Sequence, residues 1–163
     1  MYRRPGDRLT LPHRRLRERT AFVLQRVAAN MRKQVEMELA EAGTGVGWAG
    51  FTLLAVLGYL REAPQASVSS RACLDRTSAA QVFADLEADG FVERRQRPDD
   101  RRHILVAITP SGRATLEAAT AAVERGERAA LKGLRAREQA RVHALLDRVV
   151  PEDVAKVSLF GGW

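Results

Sequence analysis

The stretch DLEADGFVERRQRPDDRRHILVAIT, residues 85–109, decides the fold. It begins as the end of a helix, and Gly90 is predicted to close that helix because glycine adopts the left-handed conformation at little steric cost. Two β-prone runs follow, at 91–95 and 103–109, and every other residue of the second run is β-branched, as in a half-buried strand. The pattern predicts a helix followed by a β-hairpin.

The tip of this hairpin is strongly basic. Its arginines are Arg94, Arg95, Arg97, Arg101 and Arg102. Because a short hairpin with so much charge cannot lie in a core, we expect a surface that meets a negative partner. The alternative for any single arginine is a solvated face in an arginine-rich chain.

Composition supports an anionic partner. The chain has 163 residues, a formal charge of +7 and a pI of about 10.6, which favours nucleic acid or an anionic membrane. Its hydrophobic content of 45% predicts a folded protein rather than a disordered basic tail.

Several classes of protein are excluded by the sequence. No run of about eighteen apolar residues predicts a membrane helix, and no apolar segment follows the basic N-terminus as in a secretory signal. The single cysteine, Cys73, suits a cytoplasmic protein. His13, His103 and His143 lie far apart, and no phosphate-binding glycine motif occurs, so we expect no metal, no cofactor and no enzyme.

Hydrophobic periodicity predicts six helices. They are expected at 13–41, 48–62, 66–73 (short and weak, with a turn as the alternative), 76–89, 111–132 and 135–149. Asp75 is a good N-cap for the fourth helix, and Thr109 or Ser111 for the fifth. The second helix is apolar nearly all round and is predicted to be buried.

The fourth helix has two distinct faces. Its apolar face consists of Ala79, Val82, Phe83 and Leu86. The other face, near the N-terminus, consists of small or hydrogen-bonding residues that suit a groove: Arg76, Thr77, Ser78, Ala80 and Gln81. Gln81 suits adenine, and Arg76 suits either guanine or a phosphate.

The predicted fold is mainly α with a small β-wing: a winged helix-turn-helix flanked by long N- and C-terminal dimerisation helices. We expect an N-terminal arm and dimerisation helix at 1–47, a DNA-binding domain at 48–110, and C-terminal dimerisation helices with an apolar tail at 111–163.

The chain resembles the MarR family of bacterial transcriptional regulators over about residues 16–149. The matching residues are Asp75-Arg76-Thr77-Ser78, the helix end and glycine at 85–94, Arg97-Pro98-Asp99-Asp100-Arg101-Arg102, and the threonine–x–x–glycine helix start within 106–112. The resemblance implies a homodimer that binds a palindromic operator in double-stranded DNA. It also implies repression relieved by a small ligand, often an aromatic acid.

The resemblance also assigns residues in the wing. Arg102 corresponds to the arginine that enters the minor groove, and Asp100 to the acid that orients it, although Asp100 also fits a turn residue that caps its own backbone. The other wing arginines, Arg94, Arg95, Arg97 and Arg101, are expected to meet phosphate or solvent. One departure is Cys73, which stands where relatives often have a glycine; we expect a buried, inert thiol, with a sensor as the alternative.

The terminal helices carry apolar faces that predict a dimer interface. Its predicted residues are Leu16, Val23, Val27, Val142, Leu145, Leu146, Val149, Phe160 and Trp163. For Phe160 and Trp163 the alternative is a frayed terminus. Met31, Trp48 and Phe51 are candidates for a ligand pocket, with core packing as the alternative.

The sequence is also compatible with two other functions. A winged helix can bind protein, with its basic wing on an acidic surface. It can also bind DNA without any effector, because a ligand pocket has no signature in the sequence.

Overall fold

The computed structural model describes residues 18–96 and 104–150. Its helices are α1 (Thr20–Glu41), α2 (Trp48–Leu60), α3 (Gln65–Arg71), α4 (Arg76–Ala88), α5 (Pro110–Ala130) and α6 (Ala136–Asp147). Its strands are β1 (Glu62–Pro64), β2 (Val92–Gln96) and β3 (Ile104–Ile108). The order is that of a helical protein with a small wing sheet, as the sequence predicts.

Helix α1 is shorter than predicted at its N-terminus. It starts at Thr20, because Arg19 has an extended backbone and supplies no side-chain cap. The sequence predicted a helix from residue 13 onwards, and this prediction is wrong for residues 18 and 19, which are not helical. Residues 13–17 lie outside the described part of the chain. Only the C-terminal half of α1 reaches the core, through Val35 and Leu39.

Helix α2 is the buried central helix that the sequence predicts. It ends at Leu60 rather than 62, because Arg61 adopts a left-handed backbone with φ of 65°. The strand β1 then pairs with β3, and sequence reasoning missed it because three residues carry no detectable alternation. Pro64 lies in this edge strand, where the lack of an N–H is tolerated.

The wing is a three-stranded antiparallel sheet of order β1-β3-β2. In β2 and β3 the register runs from Val92 opposite Ile108 to Gln96 opposite Ile104. The predicted hairpin strands are therefore confirmed to within one residue at each described end. The sheet places β2, and with it the base of the arginine-rich tip, beside the C-terminal end of α4.

Helix α5 packs against α1 at a close crossing. It starts where Thr109 accepts a hydrogen bond from the backbone N–H of Gly112 at 2.9 Å, which confirms Thr109 as the cap. Near its other end, a Cβ on Gly126 would lie 2.6 Å from the Cα of Val35. Glycine is needed there because the two backbones leave no room for a side chain.

One continuous core links α1, α2, α4, α5 and the wing sheet. Helix α6 does not join it, since none of its residues is buried. None of the helices in the described ranges combines the length and apolar composition needed to cross a bilayer.

Candidate nucleic-acid interface

The N-terminus of α4 is fixed by Asp75. Its carboxylate accepts hydrogen bonds from the backbone N–H groups of Thr77 and Ser78, at 3.0 and 2.9 Å, and from the Ser78 hydroxyl at 2.6 Å. The hydrogen bond from the Ser78 side chain is the main reason that the pKa of Asp75 lies below its ordinary value. The predicted cap is confirmed, and it holds the first turn of α4 in one conformation.

The face of α4 predicted to enter a groove is exposed. Its residues Arg76, Thr77, Ser78, Ala80 and Gln81 are all open to solvent. On the opposite face Ala79, Phe83 and Leu86 are buried and Val82 packs against the core, as predicted. The helix is therefore anchored on one side and free to approach a partner on the other.

Gln81 is held by a neighbour on the same helix. Its Nε2 donates a hydrogen bond to Oδ1 of Asp85 at 2.9 Å. Sequence reasoning did not single out Asp85, although the spacing of four residues on a helix is a signal for such a pair.

The turn between α3 and α4 corrects the expectation for Cys73. The residue is exposed rather than buried, and its backbone is left-handed with φ of 53°. The N–H of Leu74 donates to the carbonyl of Ser69 and the N–H of Cys73 to that of Ser70, the bond pattern that closes a helix on a left-handed residue. The expectation of burial was wrong because this turn lies on the surface.

Two of the predicted DNA-binding arginines are paired with glutamates. Nη1 of Arg94 donates to Glu87 of α4 at 3.3 Å, and the Arg94 side chain is only 22% exposed. Nη2 of Arg95 donates to both carboxylate oxygens of Glu62, at 2.8 and 2.6 Å, while the side chain stays 65% exposed. Sequence reasoning could not find Glu62, because the pair spans 33 residues and depends on β1.

The remaining wing residues lie outside the described part of the chain. They are Arg97, Asp100, Arg101 and Arg102. Their assigned roles on DNA remain predictions.

The structure does not bring the three candidate ligand-pocket residues together. Met31 lines an open hollow of about 560 Å³ with Val23 and Val27. Trp48 and Phe51 are in contact, with ring centroids 5.7 Å apart, but each borders a different hollow, and Phe51 is a core residue. A ligand pocket made of these residues remains a prediction, and core packing accounts for Phe51.

The predicted dimer residues that the structure describes are exposed. Val23 and Val27 of α1 are 44% and 42% exposed, and Leu145 of α6 is 50% exposed. The other exposed members are Val142, Leu146 and Val149, whereas Leu16, Phe160 and Trp163 lie outside the described residues. Large apolar side chains that the rest of the described chain covers only in part therefore lie along α1 and at the C-terminal end of the described residues.

This geometry, a capped helix with an open polar face beside a small wing sheet, defines a winged helix-turn-helix. Residues 48–104 match the model of the MarR family. The chain is 30% identical over 99 residues to an uncharacterized HTH-type transcriptional regulator, YdgJ, of Bacillus subtilis, and the match covers 61% of this chain. This chain spans 60% of the length of that curated relative.

Solved structures give the same result. A probable transcriptional regulator from Pseudomonas aeruginosa is 29% identical, with a TM-score of 0.73; the match covers 83% of this chain and all of that one. A cysteine-to-serine variant of MarR from E. coli, in complex with operator DNA, has the same fold at 23% identity and a TM-score of 0.69, over 80% of this chain and 93% of that one.

The resemblance and the fold class predicted from the sequence are therefore confirmed. Residues 48–104 are similar to the MarR family within a winged helix-turn-helix fold, and the proteins that the chain matches are transcriptional regulators rather than enzymes.

Proposed function

We propose that the protein is a dimeric, sequence-specific DNA-binding transcription regulator, and that it represses its target until a small ligand releases it. The observation that carries the proposal is the open polar face of α4, anchored beside the wing in a MarR-family domain. A recognition helix of this kind reads base edges in the major groove. A cytoplasmic location follows, because the partner would be chromosomal DNA.

Several features of charge and exposure support DNA as the partner. The chain has a net charge of +7, and Arg76 and Arg95 are exposed at the two edges of the proposed interface. The capped first turn of α4 also offers Thr77 and Ser78 at a fixed position. These groups can contact phosphates while Gln81 contacts a base.

A homodimer is supported by α6. This helix has 12 residues, none of them buried, and an isolated helix of about that length is only marginally stable in water. Its apolar stripe includes Leu145 and Leu146, and the exposed Val23 and Val27 of α1 offer apolar surface in the same chain. Pairing with a second copy would cover both surfaces and double the DNA-reading helices.

Repression and its release by an effector rest on the family resemblance. An aromatic acid is the first ligand class to test, by adding such acids to the preformed protein–DNA complex. Release of the duplex would support an effector, whereas unchanged binding would favour a ligand-independent DNA-binding protein.

Fluorescence anisotropy with duplexes from the region upstream of the gene tests DNA binding. If each of the two subunits meets about four phosphates, log K should fall against log salt with a slope of about −7, because each contact contributes about −0.9. Arg102→Ala is expected to weaken binding while leaving thermal unfolding unchanged. Failure to bind any duplex, or a slope close to zero, would overturn the proposal.

The pairing of Arg94 and Arg95 with glutamates favours one alternative, a module that binds protein. Those pairs reduce the charge that the wing presents to phosphates. Binding to an acidic protein surface that weakens with salt, with no duplex bound, would support this alternative.

A further inference from the structure

The hydrogen bond between Gln81 and Asp85 fixes which way the glutamine amide faces. An ionised carboxylate only accepts hydrogen bonds, so the Gln81 atom that lies 2.9 Å from Asp85 Oδ1 must be the amide nitrogen. One of the two Nε2 hydrogens is thereby occupied. The other Nε2 hydrogen and Oε1 remain available to a partner.

Gln81 lies where a base edge can reach it. The side chain is exposed on the open face of α4, and its neighbours along that face, Thr77, Ala80 and Ala84, are exposed and short. Short neighbours let a groove approach closely, so that the longer glutamine reaches furthest. Asp85 is exposed one helical turn further on.

A free glutamine amide can meet purines in two ways. Adenine offers the N7 acceptor and the N6 donor, which match one amide N–H and Oε1. Guanine offers two acceptors, N7 and O6, which match both hydrogens of the amide nitrogen. Because Asp85 occupies one of those hydrogens, the guanine pattern cannot be met in full, whereas the adenine pattern needs only Oε1 and the amide hydrogen on the Oε1 side.

We propose that Asp85 is a positioning residue that makes Gln81 select adenine over guanine at one base pair of the operator. This inference rests on the proposed DNA-binding function. A carboxylate near the phosphates lowers the affinity for every duplex alike, so what Asp85 contributes has to appear as discrimination between bases.

The experiment first locates the base pair that Gln81 reads. Selection from a pool of random duplexes is carried out with the wild-type protein and with Gln81→Ala. The position at which the variant loses its preference is then filled with adenine, guanine or 7-deazaadenine. Anisotropy titrations give the affinity of each duplex for the wild type, for Asp85→Ala and for Asp89→Ala.

Asp89→Ala is the matched control, because it removes the same charge one turn further along without changing the partner of the Gln81 amide. The wild type and this control are expected to prefer adenine over guanine by about fivefold or more, the low end for a bidentate base contact. Both proteins should bind the 7-deazaadenine duplex no more tightly than the guanine duplex, because 7-deazaadenine lacks the N7 acceptor. Asp85→Ala should bring the ratio of adenine to guanine affinity close to one, because it removes the acceptor and leaves both Nε2 hydrogens of Gln81 available to guanine.

An unchanged adenine preference in Asp85→Ala would overturn the positioning role while leaving DNA binding intact. The same holds if Gln81→Ala changes the preference at no position. If the wild type binds no duplex at all, the proposed function fails together with this inference, so the two failures are distinguishable.

Discussion

Cys73 and Gly90 occupy the same position in two copies of the same helix-closing turn, one after α3 and one after α4. In each turn the residue donates its N–H to a carbonyl three residues back, and the following residue donates to one five residues back. Their φ angles are 53° and 74°, both left-handed. Glycine suits this backbone, whereas cysteine adopts it at a steric cost of about 1–2 kcal/mol.

Cys73→Gly is therefore expected to stabilise the protein. The substitution removes the steric cost of the left-handed backbone, but it adds flexibility to the unfolded chain, which offsets about 0.5–1 kcal/mol. The net gain in the free energy of unfolding should be up to about 1 kcal/mol. Urea denaturation measures it.

Gly90→Ala is the matched comparison. A Cβ on Gly90 would meet no atom within 4 Å, so any loss of stability there comes from the backbone conformation alone. We expect a loss of about 1 kcal/mol. If both Cys73→Gly and Gly90→Ala destabilised the protein, the prediction for Cys73 would be wrong. A specific contact of the thiol would then have to outweigh the strain of the left-handed backbone at Cys73.

The N-cap of α4 predicts a contribution to stability that depends on pH. The folded-state pKa of Asp75 is lowered chiefly by its hydrogen bond from the Ser78 hydroxyl. A lowered folded-state pKa means that the contribution is fully present above the unfolded-state pKa, about 3.9, and is lost as the pH falls through the lower folded-state value.

Asp75→Asn tests this, because asparagine is an equally good N-cap but does not titrate. At neutral pH the variant should melt slightly below the wild type, and the two melting temperatures should converge as the pH falls below about 4. Other carboxyl groups titrate in both proteins and cancel in the difference. A difference that stays constant from pH 7 to pH 2.5 would contradict the assigned role of the carboxylate.

Glu62→Gln is expected to strengthen DNA binding under the proposed function. The substitution weakens the hold on Arg95, whose side chain is already 65% exposed, and removes a negative charge beside the phosphates. A gain of up to about fivefold at low salt corresponds to one charge interaction of about 1 kcal/mol in water. Because exposed ion pairs contribute only about 0–1 kcal/mol, thermal stability should change little.

The control for net charge is Glu117→Gln, an exposed carboxylate on α5, outside the wing. If Arg95 gains a phosphate contact, the salt slope of Glu62→Gln should steepen by about 0.9 while that of the control stays the same. Equal effects of the two variants would show that only the total charge matters.

The sequence predicted most of the helices and both hairpin strands because their signals are local. Asp75 and Thr109 are recognisable caps, and Gly90 is a recognisable helix end. The strand β1 was missed because it exists only through pairing with β3. Each residue of β1 pairs with a residue 40 or more positions further along the chain. Short-range periodicity contains no information on such a contact.

The candidate site was predicted less completely for the same reason. The open face of α4 follows from helical periodicity, and its exposure agrees with the prediction. The carboxylate partners of Arg94 and Arg95 depend on how α4, β1 and β2 pack together, and the exposure of Cys73 depends on where its turn lies on the surface.

Helix α6 carries an exposed apolar stripe that includes Leu145 and Leu146. Leu145 is 50% exposed, so covering the rest of its side chain in the proposed dimer would contribute about 0.8–1.5 kcal/mol, half of the value for a leucine buried from full exposure. Leu145→Glu removes that contribution and places a charge in the proposed interface, so the dimer dissociation constant should rise at least about tenfold, since each 1.4 kcal/mol is a factor of ten. Ala140→Glu adds the same charge to the opposite side of α6 and should leave the constant nearly unchanged. Sedimentation equilibrium measures both, and equal dissociation constants for the two variants would place the dimer contact away from this stripe.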